Sequence, residues 1–137
     1  MNLFAYGTLM DPAIMQNVCG ERFQSRPASL SGYMRKKLRG EVYPGIIRQP
    51  DSSVEGQVYF DVSAQALYYL DEFEGSFYQR ELVTAVFDDG SAMEVEAYVL
   101  SDSCASLLSH EDWNLQDFLN RDKPLFQDKY GGYERLV

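Results

Sequence analysis

Glu74 is the residue whose type and position point most directly to acid–base chemistry. It lies in LDEFEG, directly before a glycine that favours the end of a helix. In the last helical turn a carboxylate faces the negative end of the helix dipole, and Asp71 lies on the same helical face. Phe73 and Phe77 would exclude water from it. All three effects raise the pKa of a carboxyl group, so Glu74 is predicted to exchange protons near neutral pH. The alternative is a solvated, acidic helix end.

The second candidate is YGTL, formed by Tyr6, Gly7, Thr8 and Leu9. Glycine lets the backbone turn as it leaves a strand, so that successive N–H groups can point into one concavity. A helix predicted to begin just after this turn adds positive potential to the same corner. The segment is therefore predicted to bind a carboxylate or a developing oxyanion, although a plain tight turn explains the same four residues.

Two further stretches could reach a ligand. In YPGI, residues 43–46, Pro44 removes a donor and Gly45 allows close backbone approach, although a hairpin turn is the simpler interpretation. In MRKKLR, residues 34–39, the basic side chains are typical of a solvated strand. Arg35, two residues after the aromatic Tyr33, is the one predicted to reach an anionic substrate.

Composition excludes several classes of function. The chain has 137 residues and a formal charge of -9, which fits one domain and repels phosphate backbones, so nucleic acid is not expected as a partner. It has no apolar run of membrane-spanning length and no signal-peptide pattern, and a cytoplasmic location is expected. Cys19 and Cys104 are expected to be buried, reduced thiols. Together with His110, the only histidine, they make no zinc set, and no metal or other cofactor is predicted.

The first half of the chain predicts strands around one helix. NLFAY is a short apolar strand, and Asp11-Pro12 begins a helix that ends at Gly20. Strands ASLSGYMRKKL and GIIRQ are predicted to flank a turn at Pro44-Gly45. SVEGQVYFDV alternates apolar and polar residues and predicts a further strand.

The second half predicts a helix, a hairpin and a last helix. A helix capped by Ser63 carries an apolar stripe of Ala66, Leu67, Leu70 and Phe73. YQRELVTAVF and AMEVEAYVL form an antiparallel hairpin around DDG, with Tyr98 on the face of Glu94 and Glu96, opposite the apolar residues of the second strand. In the last helix, NLQDFLNR, the residues predicted to pack inward are Trp113, Leu115, Phe118 and Leu119.

These elements predict an α+β protein. Six or seven mostly antiparallel strands in so short a chain favour a small closed or nearly closed barrel, because closure removes exposed edges. Two to three helices are expected to flank this mixed barrel. Residues 1–137 are taken as one domain, with a barrel core in 1–100 and a C-terminal helix and tail, 101–137, packed on it. The tail's Tyr130 and Tyr133 could form a lid or pack outside the barrel.

Taken in order, YGTL, YPGI, VEGQVYFDV and LDEFEGSFYQRELV resemble the gamma-glutamylcyclotransferase-like superfamily, and most closely its small avirulence-induced-gene-like branch. The similarity covers residues 3 to about 100 and is most specific between Leu70 and Arg80. It implies a barrel flanked by helices with a pocket at its mouth. Gly45 departs from the alanine common in the family, a change expected to leave the pocket open.

The resemblance also implies roles. The backbone amides of Tyr6 to Leu9 would hold a glutamyl group, Glu74 would be the acid–base residue, Tyr78 would line the pocket, and Arg80 would hold Asp71 in place. The implied reaction cyclises a gamma-glutamyl group to 5-oxoproline and releases an amine, without a cofactor. The substrate-binding set is completed by Arg35, Tyr43, Pro44, Gly45 and Ile46.

Two other hypotheses stay open. The same fold could bind a small metabolite without turning it over, since a fold does not fix a function. An interaction protein that uses its acidic surface is the third and rests only on the net charge. A monomer or weak dimer is expected, and which amine leaves is not determined by the sequence.

Overall fold

The computed structural model describes residues 1–124, which form a barrel with helices packed on one side. The five strands are β1 (Leu3–Ala5), β2 (Ser25–Lys37), β3 (Pro44–Tyr59), β4 (Tyr78–Phe87) and β5 (Ala92–Leu100). The helices are α1 (Pro12–Cys19), α2 (Ala64–Glu74) and the short α3 (Leu115–Asp117), which continues as a π-helical turn (Phe118–Asp122). Three 3₁₀ turns complete the described elements: Thr8–Met10, Gly75–Phe77 and Asp102–Leu107.

The strands close in the order β1-β3-β2-β4-β5, with β5 returning to β1. The β1–β5 pair is parallel, through Leu3 and Glu96, and the other neighbouring pairs are antiparallel. The predicted α+β class, a mixed and mostly antiparallel barrel with flanking helices, is confirmed. Gly56 makes one close approach possible, because a Cβ atom there would lie 2.3 Å from the Ala5 carbonyl oxygen.

The barrel has five strands among the described residues instead of the six or seven predicted. GIIRQ and most of SVEGQVYFDV, as far as Tyr59, belong to one 16-residue strand, β3, in which Asp51 has a φ of 68°. The register of β2 against β3 shifts between Ser31 and Tyr33, and the intervening Gly32 has a φ of 84°. Such a bulge bends a long hairpin around the barrel without ending it. GIIRQ and SVEGQVYFDV, predicted as separate strands, are therefore parts of one bent strand.

The turn predicted at Pro44-Gly45 is also misplaced. The chain reverses before it, where the Leu38 N–H donates to the Tyr43 carbonyl at 3.1 Å, and Pro44 is the first residue of β3. Proline is tolerated at the first position of a strand because its missing N–H removes no ladder bond there. The predicted hairpin between β4 and β5 is confirmed, with nine paired positions from Tyr78–Leu100 to Val86–Ala92.

Two apolar clusters lie on the two faces of the barrel wall. One contains residues of all five strands, such as Phe4, Val58 and Ala97, and fills the interior. The other joins the outer face to the helices and includes Leu70 of α2 and Trp113. Both faces of β1 are therefore buried, which explains why a three-residue strand is apolar throughout.

Capping fixes the two longer helices as the sequence predicted. The Asp11 carboxylate accepts a hydrogen bond from the Ala13 N–H at 3.1 Å, and α1 ends at Gly20, which has a φ of 74°. The Ser63 hydroxyl accepts from the Ala66 N–H at 3.1 Å and begins α2. Because of these caps, α1 starts directly after the YGTL turn and α2 ends at Glu74.

The C-terminal part of the described chain packs on the barrel through two aromatic side chains. Trp113 and Phe118 are buried and their ring centres lie 5.8 Å apart. Leu119, predicted to pack inward, is 37% exposed, and Cys104 is only partly buried rather than buried. The π-helical turn changes the angular spacing of the residues that follow, so the helical pattern predicted for NLQDFLNR does not hold. Tyr130 and Tyr133 lie outside the described residues.

Candidate active site

A cavity of about 200 Å³ opens where β1, the start of β3 and the end of α2 meet. Its walls combine backbone from the YGTL turn, aromatic rings and one carboxyl group. The residues that line it are Leu3, Phe4, Ala5, Tyr6, Gly7, Thr8, Leu9, Tyr43, Pro44, Phe73, Glu74, Gly75, Ser76, Phe77, Tyr78 and Tyr98. YGTL, YP and FEG, which are far apart in the sequence, therefore lie around one space.

Among residues 1–124, Glu74 is the only lining residue whose side chain is a carboxylic acid, and no lysine, arginine or histidine of this part of the chain lines the cavity with it. Burial among the surrounding protein atoms raises the pKa of Glu74 to about 8, with the negative charge of Asp71 as the second cause. Part of the Glu74 side chain is nevertheless exposed to solvent, because the cavity is open. The direction agrees with the sequence-based expectation, and desolvation is its main cause. A carboxyl group of this kind can both accept and donate a proton near neutral pH.

Gly75 explains how the chain leaves the helix next to this carboxyl group. Its φ of 76° and ψ of -163° lie in a region that is essentially restricted to glycine. The next residues form a 3₁₀ turn that carries Phe77 and Tyr78 along the cavity wall. In the FEG motif, Glu74 therefore brings its carboxyl group to the cavity, and Gly75 turns the chain away from the helix axis.

Asp71 is held in position by a clamp on β4 and β5, as the resemblance implied. Arg80 binds it with two hydrogen bonds, from Nε at 3.1 Å and from Nη2 at 3.2 Å, and the Tyr98 hydroxyl donates to the same carboxylate at 2.6 Å. Arg80 also lies 3.6 Å from a carboxylate oxygen of Glu96. Burial, and then the hydrogen bond to Asp71, raises the pKa of Tyr98. The clamp keeps a negative charge near Glu74 at a fixed distance.

Replacing Asp71 by asparagine is expected to lower the pKa of Glu74 from about 8 toward its ordinary range. Asp71→Asn removes the negative charge, which is the second cause of the raised pKa, and leaves the burial of Glu74 unchanged. The pKa of Glu74 should therefore fall only part of the way. The measurement is a ¹³C NMR titration of the Glu74 carboxyl carbon. Glu72→Gln, which removes an exposed acid from the same helical turn, is the matched control. An equal shift in both variants would mean that general surface charge, and not Asp71, is responsible.

The YGTL turn offers backbone donors to the same cavity. Within residues 1–124, the N–H groups of Gly7, Thr8 and Leu9 form no hydrogen bond with a backbone carbonyl. The turn is stabilised instead through its carbonyls: Gly7 accepts from the Met10 N–H at 2.9 Å, and Leu9 accepts from the Tyr59 hydroxyl at 2.7 Å. Three N–H groups at one corner can bind a carboxylate or an oxyanion.

Aromatic residues form the wall opposite this turn. The Tyr78 hydroxyl donates to the Pro44 carbonyl at 2.8 Å and so joins the start of β4 to the start of β3. A Cβ atom at position 7 would lie 2.8 Å from Cγ of Pro44, so the two walls approach each other as closely as glycine allows. Tyr43 lines the cavity beside Pro44. The predicted residues Tyr43, Pro44 and Tyr78 therefore lie together with Glu74.

Three predicted binding residues do not line the cavity. Ile46 is fully buried in the barrel interior, and the Cβ direction of Gly45 faces Leu38 and Leu100. Arg35 lies behind the wall, where its Nη1 donates to the Tyr6 carbonyl at 2.8 Å. The prediction that Arg35 reaches an anionic substrate is therefore not supported by its position. Side chains alternate along β2 and β3, so neighbours in a motif point to opposite faces.

Four aromatic residues of the described chain that line the cavity were not among the predicted binding residues: Phe4, Phe73, Phe77 and Tyr98. Phe73 was assigned to the apolar stripe of α2 and, with Phe77, to the exclusion of water from Glu74, and Tyr98 was placed on the strand face opposite Ala97 and Val99. Tyr98 is buried and its backbone carbonyl accepts a hydrogen bond from the Tyr6 hydroxyl at 2.5 Å. A large aromatic between Ala97 and Val99 was the available signal, since an exposed strand face seldom requires one.

Residues 1–124 show neither a metal-ligand cluster nor a membrane-spanning helix. This part of the chain contains no cluster of three or more histidine, cysteine, aspartate or glutamate residues that could hold a metal ion. None of its helices is long and apolar enough to cross a membrane.

A closed mixed barrel that carries such a cavity defines a protein of the gamma-glutamylcyclotransferase-like fold. The family model "Gamma-glutamyl cyclotransferase, AIG2-like" matches residues 3–115, and the chain belongs to this family. Among curated relatives, it is 36% identical to Protein AIG2 C of Arabidopsis thaliana over 99 residues, 72% of this chain and 60% of the relative. It is 32% identical to AIG2-like protein C of the same plant over 126 residues, 91% of this chain and 73% of the relative. The match thus spans about three fifths of the first relative's length.

Solved structures agree on the fold. A solution structure of an Arabidopsis thaliana protein superposes with a TM-score of 0.72 at 29% identity, covering 94% of this chain and 78% of the other. A yeast gamma-glutamyl cyclotransferase described as specific to glutathione superposes with a TM-score of 0.62 at 12% identity, covering 81% and 73%. The second similarity concerns the fold alone.

Proposed function

We propose that this protein is a gamma-glutamylcyclotransferase that converts the gamma-glutamyl group of a small amide or peptide to 5-oxoproline and releases the amine. The observation that carries the proposal is the pairing of Glu74, whose pKa is raised to about 8, with the N–H groups of Gly7 to Leu9 in one cavity. Membership of a family described by this activity supports the same reaction class. The reaction requires no metal and no cofactor.

The chemistry is an intramolecular acyl transfer. The alpha-amine of the substrate attacks its own gamma-carbonyl carbon, a C–N bond closes the five-membered ring, and the bond to the leaving nitrogen breaks. The amine must first lose a proton, and the leaving nitrogen must gain one, so no net proton is consumed. Holding the two reacting groups in contact supplies much of the acceleration, because the cavity replaces a search through open conformations.

Each proposed role follows from the position of a group in the cavity. Glu74 in its carboxylate form takes the proton from the attacking nitrogen and returns it to the leaving nitrogen, a role worth about 10²–10⁴-fold. The N–H groups of Gly7, Thr8 and Leu9 bind the alpha-carboxylate or the oxyanion. Tyr43, Pro44 and Tyr78 form the wall that folds the substrate. Since only the carboxylate form of Glu74 accepts a proton, activity is expected to rise between pH 6 and 8.

The test is the release of 5-oxoproline, measured by mass spectrometry, from a panel of gamma-glutamyl amino acids, gamma-glutamyl amines and glutathione. Release from any member supports the proposal, and the panel identifies the leaving amine. A compound that raises the melting temperature but is never cleaved would favour a binding protein of the same fold. If no compound is cleaved and none changes the melting temperature, the proposal fails.

A further inference from the structure

Arg35 occupies an unusual position for a charged residue behind the cavity. Its Nη1 atom donates to two backbone carbonyls, Tyr6 at 2.8 Å and Glu55 at 2.9 Å. The centre of its guanidinium lies 5.3 Å from the ring centre of Trp113. The side chain is partly buried, and two hydrogen bonds together with the stacking on Trp113 favour one orientation of its guanidinium group.

The carbonyl that Arg35 binds belongs to the peptide unit between Tyr6 and Gly7. The peptide bonds of the described chain are trans, and the C=O and N–H of a planar trans peptide point in opposite directions. Because the Tyr6 carbonyl points to Arg35, which does not line the cavity, the Gly7 N–H points to the other side. That side is the one on which Gly7 lines the cavity, and no backbone carbonyl of residues 1–124 accepts a hydrogen bond from its N–H.

A charged donor on the carbonyl of a peptide strengthens its N–H as a donor. Hydrogen bonds to ionised groups are roughly twice as strong as neutral ones, and successive bonds through one polar unit polarise each other. Arginine is suited to this task because its planar fork binds two carbonyls in fixed directions, whereas a lysine ammonium rotates freely. Arg35 thus acts on the Gly7 N–H through one peptide unit.

Trp113 connects the same residue to the opposite wall. Its indole Nε1 donates to the Val42 carbonyl at 2.9 Å, directly before Tyr43 and Pro44. The ring therefore lies against the guanidinium and also holds the segment that leads into β3. Both backbone walls of the cavity are linked through one pair of side chains.

We propose that Arg35, supported by Trp113, is a positioning residue that orients and polarises the Tyr6–Gly7 peptide so that the Gly7 N–H binds the anionic group of the ligand. Its catalytic consequence rests on the proposed function. The orientation of the peptide does not, and it can be measured without any substrate.

The first test is the amide signal of Gly7 in ¹H–¹⁵N NMR spectra of the full chain. Arg35→Met removes the charge and keeps an unbranched apolar stem against Trp113, and Arg35→Lys keeps the charge in case the first variant does not fold. The Gly7 amide proton is expected to move upfield in Arg35→Met and by a smaller amount in Arg35→Lys. Arg48→Met, at an exposed strand position outside the cavity, is the matched control. A Gly7 signal that stays in place in both Arg35 variants would overturn the proposal.

The second test is kinetic and uses a substrate that the panel identifies. Arg35→Met is expected to lower kcat/KM by about 10–100-fold, because it weakens one oxyanion-type donor without removing it. Arg35→Lys should recover part of this loss, and Arg48→Met should match the wild type. A merely structural role would lower the active fraction and leave KM and the Gly7 signal unchanged. Wild-type rates with a shifted Gly7 signal would refute the catalytic role alone. An inert wild-type protein would refute the proposed function, while the NMR test would still decide the orientation of the peptide.

Discussion

Replacing Glu74 by glutamine is expected to lower kcat by about 10²–10⁴-fold, because the amide keeps the shape of the side chain and cannot carry the proton. No other lining residue is a carboxylic acid or a basic side chain, so no neighbour in the described cavity can take over the transfer. The measurement is 5-oxoproline release under saturating substrate. Glu72→Gln, an exposed change in the same helix, should keep the wild-type rate.

The same substitution is expected to stabilise the folded protein at alkaline pH. The pKa of Glu74 is about 8 in the folded state, against an ordinary value of 4.5, so folding favours the neutral form. Below about pH 4.5 Glu74 is neutral in the folded and in the unfolded protein, and its burial is not opposed by a charge. As the pH rises toward 8, the carboxyl group ionises in the unfolded protein first, so the free energy of unfolding falls. Glutamine is neutral at every pH, so the variant does not lose this part of its free energy of unfolding.

The expected gain in the free energy of unfolding is therefore near zero at pH 4 and about 2 kcal/mol at pH 8.5, or about 6 °C in melting temperature. This figure lies below the full effect of the pKa shift, because water in the cavity partly solvates the carboxylate. Thermal unfolding of both proteins across this pH range checks it. A constant difference between them at all pH values would mean that the pKa of Glu74 is not raised by folding. Lower activity with higher alkaline stability is a combination that a damaged core does not produce.

Gly7→Ala is expected to reduce kcat/KM by about 100-fold or more. A Cβ atom at this position would lie 2.8 Å from Cγ and 3.0 Å from Cδ of Pro44, and the proline ring cannot rotate away. Pro44 is also held by the Tyr78 hydroxyl, so the YGTL turn must move instead and carry its N–H groups with it. Displacements of about 1 Å in a reacting geometry are enough for a loss of this size. Kinetics with the best substrate of the panel measure it, and overpacking should also lower stability by about 1–3 kcal/mol.

Gly45→Ala is the matched control for this prediction. Its added methyl group would meet the end of the Leu38 side chain at 3.1 Å and Leu100 at 3.5 Å, on the face of β3 that points away from the cavity. The flexible leucine tip can shift by a few tenths of an ångström, so activity should stay near the wild-type value. Equal losses in the two alanine variants would mean that backbone stiffness, and not the Gly7–Pro44 contact, explains the effect.

Local patterns were sufficient to predict most of the elements and one central residue. The caps of α1 and α2 and the β4–β5 hairpin depend on contacts between residues close in the chain, which a sequence displays directly. The raised pKa of Glu74 was predictable for the same reason, since Gly75, Asp71 and the flanking phenylalanines are its neighbours in sequence.

The predictions from sequence were wrong where the local structure depends on its tertiary context. GIIRQ and SVEGQVYFDV were predicted as two strands, because the continuous pairing with β2 that joins them into β3 is visible only in the barrel. Leu119 was assigned to the interior because a regular helix was assumed, and the π-helical turn changes its direction.

The sequence by itself determined the class of fold, the ends of its two main helices and the identity of the carboxyl group at the centre of the candidate site. Only the tertiary structure decided which residues surround that carboxyl group. Closure of the barrel brings YGTL, YP and FEG to one cavity, packs α2 on the outer face of β5 so that Tyr98 binds Asp71, and places Arg35 behind the Tyr6–Gly7 peptide instead of beside a ligand. The physical reason is that the direction of a side chain on a strand depends on register and curvature, which are set by strands distant in the chain.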